Sequence, residues 1–287
     1  MWLMALFTFR EAWRKRVVLV AGGLTLAFLI LFGTGLHFVL GDTVRGADLT
    51  ASFWAMMEVI TLSSMGIYLA SFLVAGVAIL AAVGSVSGEI ENGTLYALAV
   101  RPLSRRDLFL GKFLGVGAML IAYAALLFLA LAGLIYWQTG LVLPGLGPAL
   151  GLFILKPLVL LSITMLGTTR LTTLGNGVLA FGLYALAVVG GMMEQIGVLL
   201  GNTATVYTGV VTSLVLPADA VYRRLVATVV NRMPLGNGQD VPFLNPQMTL
   251  GPIGSGSTPS DWMLVYTLAY VVFLVAVAVY TFQRRDI

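Results

Sequence analysis

Few side chains in this chain can do chemistry, and they are far apart. One histidine, His37, and no cysteine are present among 287 residues. Without thiols there is no disulfide, thiolate metal site or cysteine nucleophile. A single histidine supports neither a Ser-His-Asp set nor a metal cluster, and His37 is expected to be an interfacial or packed residue near the end of an apolar run. The one Gly-Lys pair suited to a phosphate loop, Gly111-Lys112, has Arg106 where G-x-x-x-x-G-K requires glycine and Phe113 where it requires Ser or Thr. The chain is therefore not expected to bind ATP by that motif, to hold a metal or cofactor, or to act as an enzyme by itself. Two kinds of charged residue remain: a run between 87 and 112, reading SGEIENGTLYALAVRPLSRRDLFLGK, and isolated ions inside apolar stretches, chiefly Lys156.

The elements that must position these groups follow from composition. Residues are 59% hydrophobic and 10% charged, with a mean hydropathy of +0.99. Soluble domains carry about 25% charged residues, so this surface is too poor in charge to face water. Apolar runs of about 20 residues span a bilayer as helices, which satisfy their own backbone groups in hydrocarbon. Transmembrane strands would be about 10 residues long with alternating polarity, and these runs are longer and uniformly apolar. The expected fold is an all-α membrane protein with six spans: 17–40, a second ending near Gly84 with its densest stretch at 67–84, then 111–137, 149–168, 174–193 and 262–282.

Orientation follows from Lys and Arg. With both termini cytoplasmic, the inner face holds Arg10, Arg14, Lys15, Arg16, Arg101, Arg105, Arg106, Lys112, Arg170, Arg284 and Arg285, which is eleven of sixteen. Outer loops hold Arg45, Arg223, Arg224 and Arg232. That bias fits the positive-inside rule and an even number of crossings. The formal charge of +4 therefore reports topology rather than nucleic-acid binding. FTFREAWRKR (7–16) interleaves aromatic and basic residues, as expected of a short interfacial helix ahead of an uncleaved first span. The first apolar run is too long for a cleavable signal peptide.

The chain divides into an interfacial helix (1–16), spans one and two (17–86), the charged connection (87–110), spans three to five (111–194), an outer excursion (195–260), and the last span with its tail (261–287). Within the excursion, VYTGVVTSLVLPADAVYRRLVATVV (206–230) predicts two short helices broken at Pro217, dipping into or lying on the outer leaflet. The Pro-, Gly- and Asn-rich segment after it predicts an irregular loop.

The run at 87–112 is expected to do more than reverse the chain. Glu89 and Glu91 lie just past the membrane exit, and Asn92-Gly93 is a turn signal. Thr94 can cap a short helix over LYALAV (95–100), with Leu95, Leu98 and Ala99 on one apolar face. Arg101-Pro102 is expected to stop it, and Ser104 followed by Asp107 resembles a capping box for the helix that enters the third span. Such a helix suits a docking surface for another protein; the plainer alternative is an interfacial reversal loop with ordinary positive-inside charges.

The spaced pattern of Glu89, Glu91, Gly93, Thr94, Leu95, Leu98, Pro102, Leu103, Ser104, Arg105, Leu108, Gly111 and Lys112 resembles the signature of ABC-2-type permeases, the membrane subunits of exporters driven by a separate ATP-binding cassette protein. The layout of six spans, basic start, outer re-entrant region and FQRRDI ending is similar to that family throughout. The resemblance implies a coupling helix between spans two and three, seated in a groove of the ATPase. Gly93, Thr94, Leu95 and Leu98 would belong to that helix, and Glu89, Glu91, Arg101 and Arg105 would make polar contacts around it. It also implies two copies of the ATPase, which carry the ATP and magnesium, a second permease subunit (expected to be an identical copy), and a bacterial or archaeal cytoplasmic membrane. Length and layout are also similar to the permease of transporters supporting copper-site assembly in nitrous oxide reductase.

Lys156, in GLFILKPLVLLSITM, lies inside the fourth span, where a cation is costly and marks a functional candidate. Its expected arrangement is snorkelling to outer headgroups, eased by Pro157; the rival is pairing with Glu194 or Glu58 along an exit path. Arg170 is expected to be a topology charge, with attraction of an anionic substrate or headgroup at the inner gate as the alternative. No charged row lines any span, so an amphipathic or lipid-like molecule, drug or peptide is the expected cargo. Two other classes are weaker: an ion-coupled secondary transporter wants inverted repeats and mid-membrane ionisable groups, and a scaffold or intramembrane enzyme has no paired polar groups to support it.

Overall fold

The computed structural model describes residues 8–9, 16–44, 53–85, 88, 105–230 and 257–284. Their principal helices are α1 (Arg16–Val44), α2 (Phe53–Val83), α3 (Arg105–Thr139), α4 (Leu146–Thr168), α5 (Thr173–Leu200), α6 (Thr203–Val215), α7 (Ala218–Val230) and α8 (Asp261–Gln283). Among the described residues there is no strand. Six helices, α1 to α5 and α8, are long and apolar enough to cross a membrane. The six expected spans are present, most of them longer than their apolar cores, because helices continue into the headgroup region. The largest difference is at α5, which runs seven residues beyond the expected Met193.

The packing is organised around α4, which touches α2, α3, α5, α7 and α8. Two apolar clusters fill the bundle. One gathers Ile60, Ile67, Leu127, Phe128, Phe153, Tyr222 and Leu225, and the other Ala78, Ile79, Phe109, Leu120, Leu160, Met165 and Phe282. The first occupies the half of the bundle nearer the α3–α4 turn. The second occupies the half nearer the α4–α5 turn, called here the basic end because Arg106, Lys112, Arg170 and Arg284 lie there. By contrast α1 and α8 are largely exposed along their apolar lengths (Leu19, Leu31 and Phe38; Val265, Val272 and Phe273). In a membrane these faces meet acyl chains or another subunit.

The chain does not leave the bundle after α5. Gly201, in the left-handed region at φ 65°, closes the helix, its N–H donating to Gly197 O and Val198 O. Asn202 then caps α6 by accepting from the Ala204 N–H. α6 runs back along α5 at very close range. A Cβ on Gly209 would lie 2.6 Å from the Gly190 carbonyl oxygen and 2.9 Å from the Glu194 Cα; only glycine permits that approach. Thirteen residues at about 1.5 Å each carry α6 roughly 20 Å back along the bundle.

At Leu216-Pro217 the path turns by 108° into α7. Leu216 is extended at φ −141° and ψ 102°, as expected before a proline. The break leaves carbonyls at the end of α6 without intrahelical donors, a severe cost away from water. Tyr266 and Tyr270, one turn apart on α8, resolve it: their hydroxyls donate to Leu214 O (2.6 Å) and Val215 O (2.7 Å). The break expected at Pro217 is thus present, and α7 is mostly buried against α4, α5 and α2.

Candidate functional site

α4, α5 and α7 bring together four buried ionisable groups. Glu194 is nearly two turns before the end of α5. Asp219 and Arg223, four residues apart, share a face of α7. Lys156, on α4, sits almost three turns into a 23-residue helix, closer to its middle than the apolar run alone indicated. All four are buried, Arg223 at 1% exposure and Lys156 at 6%. Two cations and two anions make the cluster neutral, the condition under which charge is tolerated in low dielectric.

Arg223 is its centre. Its Nη1 lies 2.6 Å from Glu194 Oε1 and its Nη2 donates to Glu194 Oε2 at 2.9 Å, a bidentate pair. Nε donates to Asp219 Oδ2 at 3.1 Å. The same guanidinium donates to Ser213 Oγ of α6 (3.1 Å) and Ser257 Oγ (2.8 Å), and Ser257 in turn donates to Glu194 Oε1 at 2.6 Å. One side chain therefore ties α5, α6, α7 and the segment before α8. The planar five-donor fork of arginine suits this; a lysine could not serve five acceptor atoms on four residues from a rigid plane.

Lys156 lies beside this centre in an aromatic box. Its Nζ donates to Ser71 Oγ of α2 (2.5 Å) and Tyr184 OH of α5 (3.3 Å). It stands 5.2 Å from the Tyr184 ring centroid and 5.4 Å from that of Tyr222, within cation–π range. Tyr68 packs edge-on against Tyr222. Lys156 therefore does not snorkel to headgroups; packing on α4 turns it inward. Nor does it pair with Glu194, which Arg223 occupies, or with Glu58, which is half-buried on α2 and makes no hydrogen bond or ion pair to the cluster.

Arg223 had been expected among outer-loop charges, and that expectation is corrected by its burial. Its neighbour Arg224 does face outward, pairing with the exposed Asp261. The signal that marks the pair was present: Asp219 and Arg223 at i, i+4 immediately after Pro217. Ser71 and Ser213 carried no sequence signal, since serine hydroxyls in apolar helices usually bond their own backbone; Tyr184, Tyr222 and Ser257 carried none because their partners are distant in the chain.

At the basic end the connection between α2 and α3 is anchored at its root. Lys112 Nζ donates to the Ser85 carbonyl at 2.7 Å, where a cation also complements the end of α2. Ser85 Oγ contacts Met165 Sδ of α4 at 2.9 Å. Lys112 is buried, so it is more than a topology charge. Asn176 of α5 donates to Thr164 O at 3.0 Å, tying α5 to α4 nearby. Glu89, Glu91, Gly93, Thr94, Leu95, Leu98 and Arg101 lie outside the described residues, as do most of the interfacial helix expected at 7–16 and most of the irregular loop expected at 231–261. Arg105 begins α3. Arg170 is exposed in the α4–α5 turn, remote in sequence and in the fold from the cluster.

A profile of the ABC-2 family transporter proteins matches residues 2–287. The chain belongs to the ABC-2 family. Local similarity to probable ABC transporter permease proteins NosY agrees with this. The relative from Pseudomonas aeruginosa is 48% identical over 59 residues, covering 21% of each chain. That from Stutzerimonas stutzeri is 39% identical over 84 residues, 25% of this chain and 30% of the relative. These alignments span under a third of either relative. With six helices long and apolar enough to cross a membrane, the chain is thus a multi-pass member of a transporter family.

Proposed function

We propose that the permease is the membrane subunit of an exporter in a bacterial or archaeal cytoplasmic membrane, with the basic end facing the cytoplasm. It works as a dimer with a second permease, a copy of itself, and two ATPase subunits that carry ATP and magnesium. The observation that carries this reading is the Lys112–Ser85 tie. It closes the base of the connection that bears Glu89, Glu91, Gly93, Thr94, Leu95, Leu98, Arg101 and Arg105, so force applied there is delivered to α2 and α3 together and, through Ser85 and Met165, to α4. A rigid root turns a push from the ATPase into tilting of spans, which is alternating access by rigid-body movement.

At the opposite end the Arg223 network holds α5, α6, α7 and the segment entering α8 as one unit. That unit acts as the outer gate, and Lys156 with Tyr184 and Tyr222 forms the polar step beneath it. The cargo is amphipathic or lipid-like, a drug or a peptide. A bulky apolar molecule can pass along exposed helix faces, whereas Arg223, Glu194 and Asp219 at the gate occupy one another. The second reading, a permease supporting copper-site assembly in nitrous oxide reductase, rests on the length and layout of the chain.

The test is co-purification with an ABC ATPase expressed from the same genome, followed by Leu95→Asp and Leu98→Asp. A charge on the docking face is expected to abolish the complex and ATP-dependent transport together. A complex that survives both substitutions with full transport rejects the coupling assignment.

A further inference from the structure

The basic end holds a second polar feature, separate from the Arg223 network and from the root of the coupling connection. A cavity of about 490 Å³ opens between the α4–α5 turn and the end of α8, lined by Thr169, Arg170, Tyr280, Thr281 and Arg284. The two helices meet there through Thr169 Oγ1 and Thr281 Oγ1, 3.5 Å apart. Arg284 lies over the Tyr280 ring, 4.4 Å from its centroid, which fixes the guanidinium at the cavity wall. Among the described residues no carboxylate pairs with Arg170 or Arg284. Two arginines therefore face one cavity without a counter-charge among the described residues, whereas every arginine at the opposite end whose side chain is described is paired.

We propose that this cavity binds the phosphodiester headgroup of an anionic phospholipid, held between the Arg170 and Arg284 guanidiniums. Depth supports a lipid. The cavity sits at the last turn of a 23-residue apolar helix, where Tyr and Arg belong at the headgroup level. The surfaces below it, Leu174 of α5 and Phe273 of α8, are exposed and apolar, so acyl chains can lie along them. Volume supports more than a bare phosphate, since cavities of this size hold small organic ligands. The hydroxyl chemistry selects the headgroup further. Thr281 donates to the Val277 carbonyl at 2.6 Å and Thr169 to that of Leu166 at 2.7 Å. With these protons directed to the backbone, a further contact at either hydroxyl is made to its oxygen as acceptor, which suits a hydroxylated headgroup such as phosphoglycerol. The inference does not depend on ATPase coupling.

Native mass spectrometry of the full chain in detergent, with phosphatidylglycerol and phosphatidylcholine of identical acyl chains, tests it. Phosphatidylglycerol is expected to bind about ten-fold more tightly, equivalent to about 1.4 kcal/mol. Arg170→Gln with Arg284→Gln is expected to abolish the difference, while Arg106→Gln, exposed at the same end, leaves it intact. If that double variant does not fold, Arg170→Lys with Arg284→Lys keeps the charge but loses the fork, and a several-fold loss is expected. Equal binding of the two lipids, or an unchanged preference in the double variant, overturns the proposal. Soluble glycerol phosphate displacing the lipid at equal concentration identifies a free-phosphate site and overturns it too. So does loss of the ATPase from the complex with lipid preference retained, which assigns the arginines to a protein partner.

Discussion

Replacing Arg223 by Met is the perturbation whose size can be worked most directly. The guanidinium bridges Glu194 and Asp219 at 2.6–3.1 Å, and all three side chains are at most 10% exposed, so water does little to screen them. The substitution keeps the volume apolar and leaves one net negative charge in the cluster, with Lys156 as the remaining cation. Removing one partner of a buried pair costs about 3–5 kcal/mol, mostly the penalty of leaving the other ion unpaired. For a chain of this size that lowers Tm by on the order of 10 °C. The assay is thermal unfolding of the purified protein in one detergent. A cycle isolates the cause: Glu194→Gln on the Arg223→Met background removes the stranded charge. It should return at least half of the loss, a coupling of roughly 2 kcal/mol. Arg223→Lys should fall between wild type and Met, because an ammonium cannot hold both carboxylates in a plane. A single variant within 2 °C of wild type (against the roughly 10 °C expected), or strictly additive effects in the double variant, would falsify the gate network.

Lys156→Met also leaves one net negative charge, but Arg223 still contacts both carboxylates, and the lysine has hydroxyl and aromatic partners and no direct carboxylate contact, so the relief of its desolvation offsets most of what is lost. Tm is expected to change by less than about 3 °C, while ATP-dependent transport falls at least about ten-fold; undiminished transport shows the lysine to be structural. Gly209→Ala places a methyl against the Gly190 carbonyl and the Glu194 backbone, and overpacking of that kind costs about 1–3 kcal/mol, read as a lower Tm. Tyr266→Phe with Tyr270→Phe strands the Leu214 and Val215 carbonyls on the exposed face of the bundle, at about 1–3 kcal/mol for each where that face meets hydrocarbon rather than water; a Tm equal to wild type means that water reaches the end of α6. Arg224→Ala is the control, since its exposed pair with Asp261 contributes about 0–1 kcal/mol and stability should barely change.

Much of the architecture was legible before any coordinates. Long uncharged runs have one solution in hydrocarbon, the backbone-satisfied helix, so six spans followed from composition. A proline removes a donor and extends its predecessor wherever it stands, so the break at Pro217 followed too. Pairing was different. Lys156, Glu194, Asp219 and Arg223 are separated by up to 67 positions (223 − 156), and their mutual neutralisation exists only because glycines let α6 fold back on α5 and deliver α7 to α4. The same holds for Lys112, an ordinary inner-face charge by position and a clamp on the Ser85 carbonyl by packing. Local composition determines whether a segment enters the membrane. Which buried ion meets which is decided by how close the helices can approach, and that depends on surfaces distant in the chain.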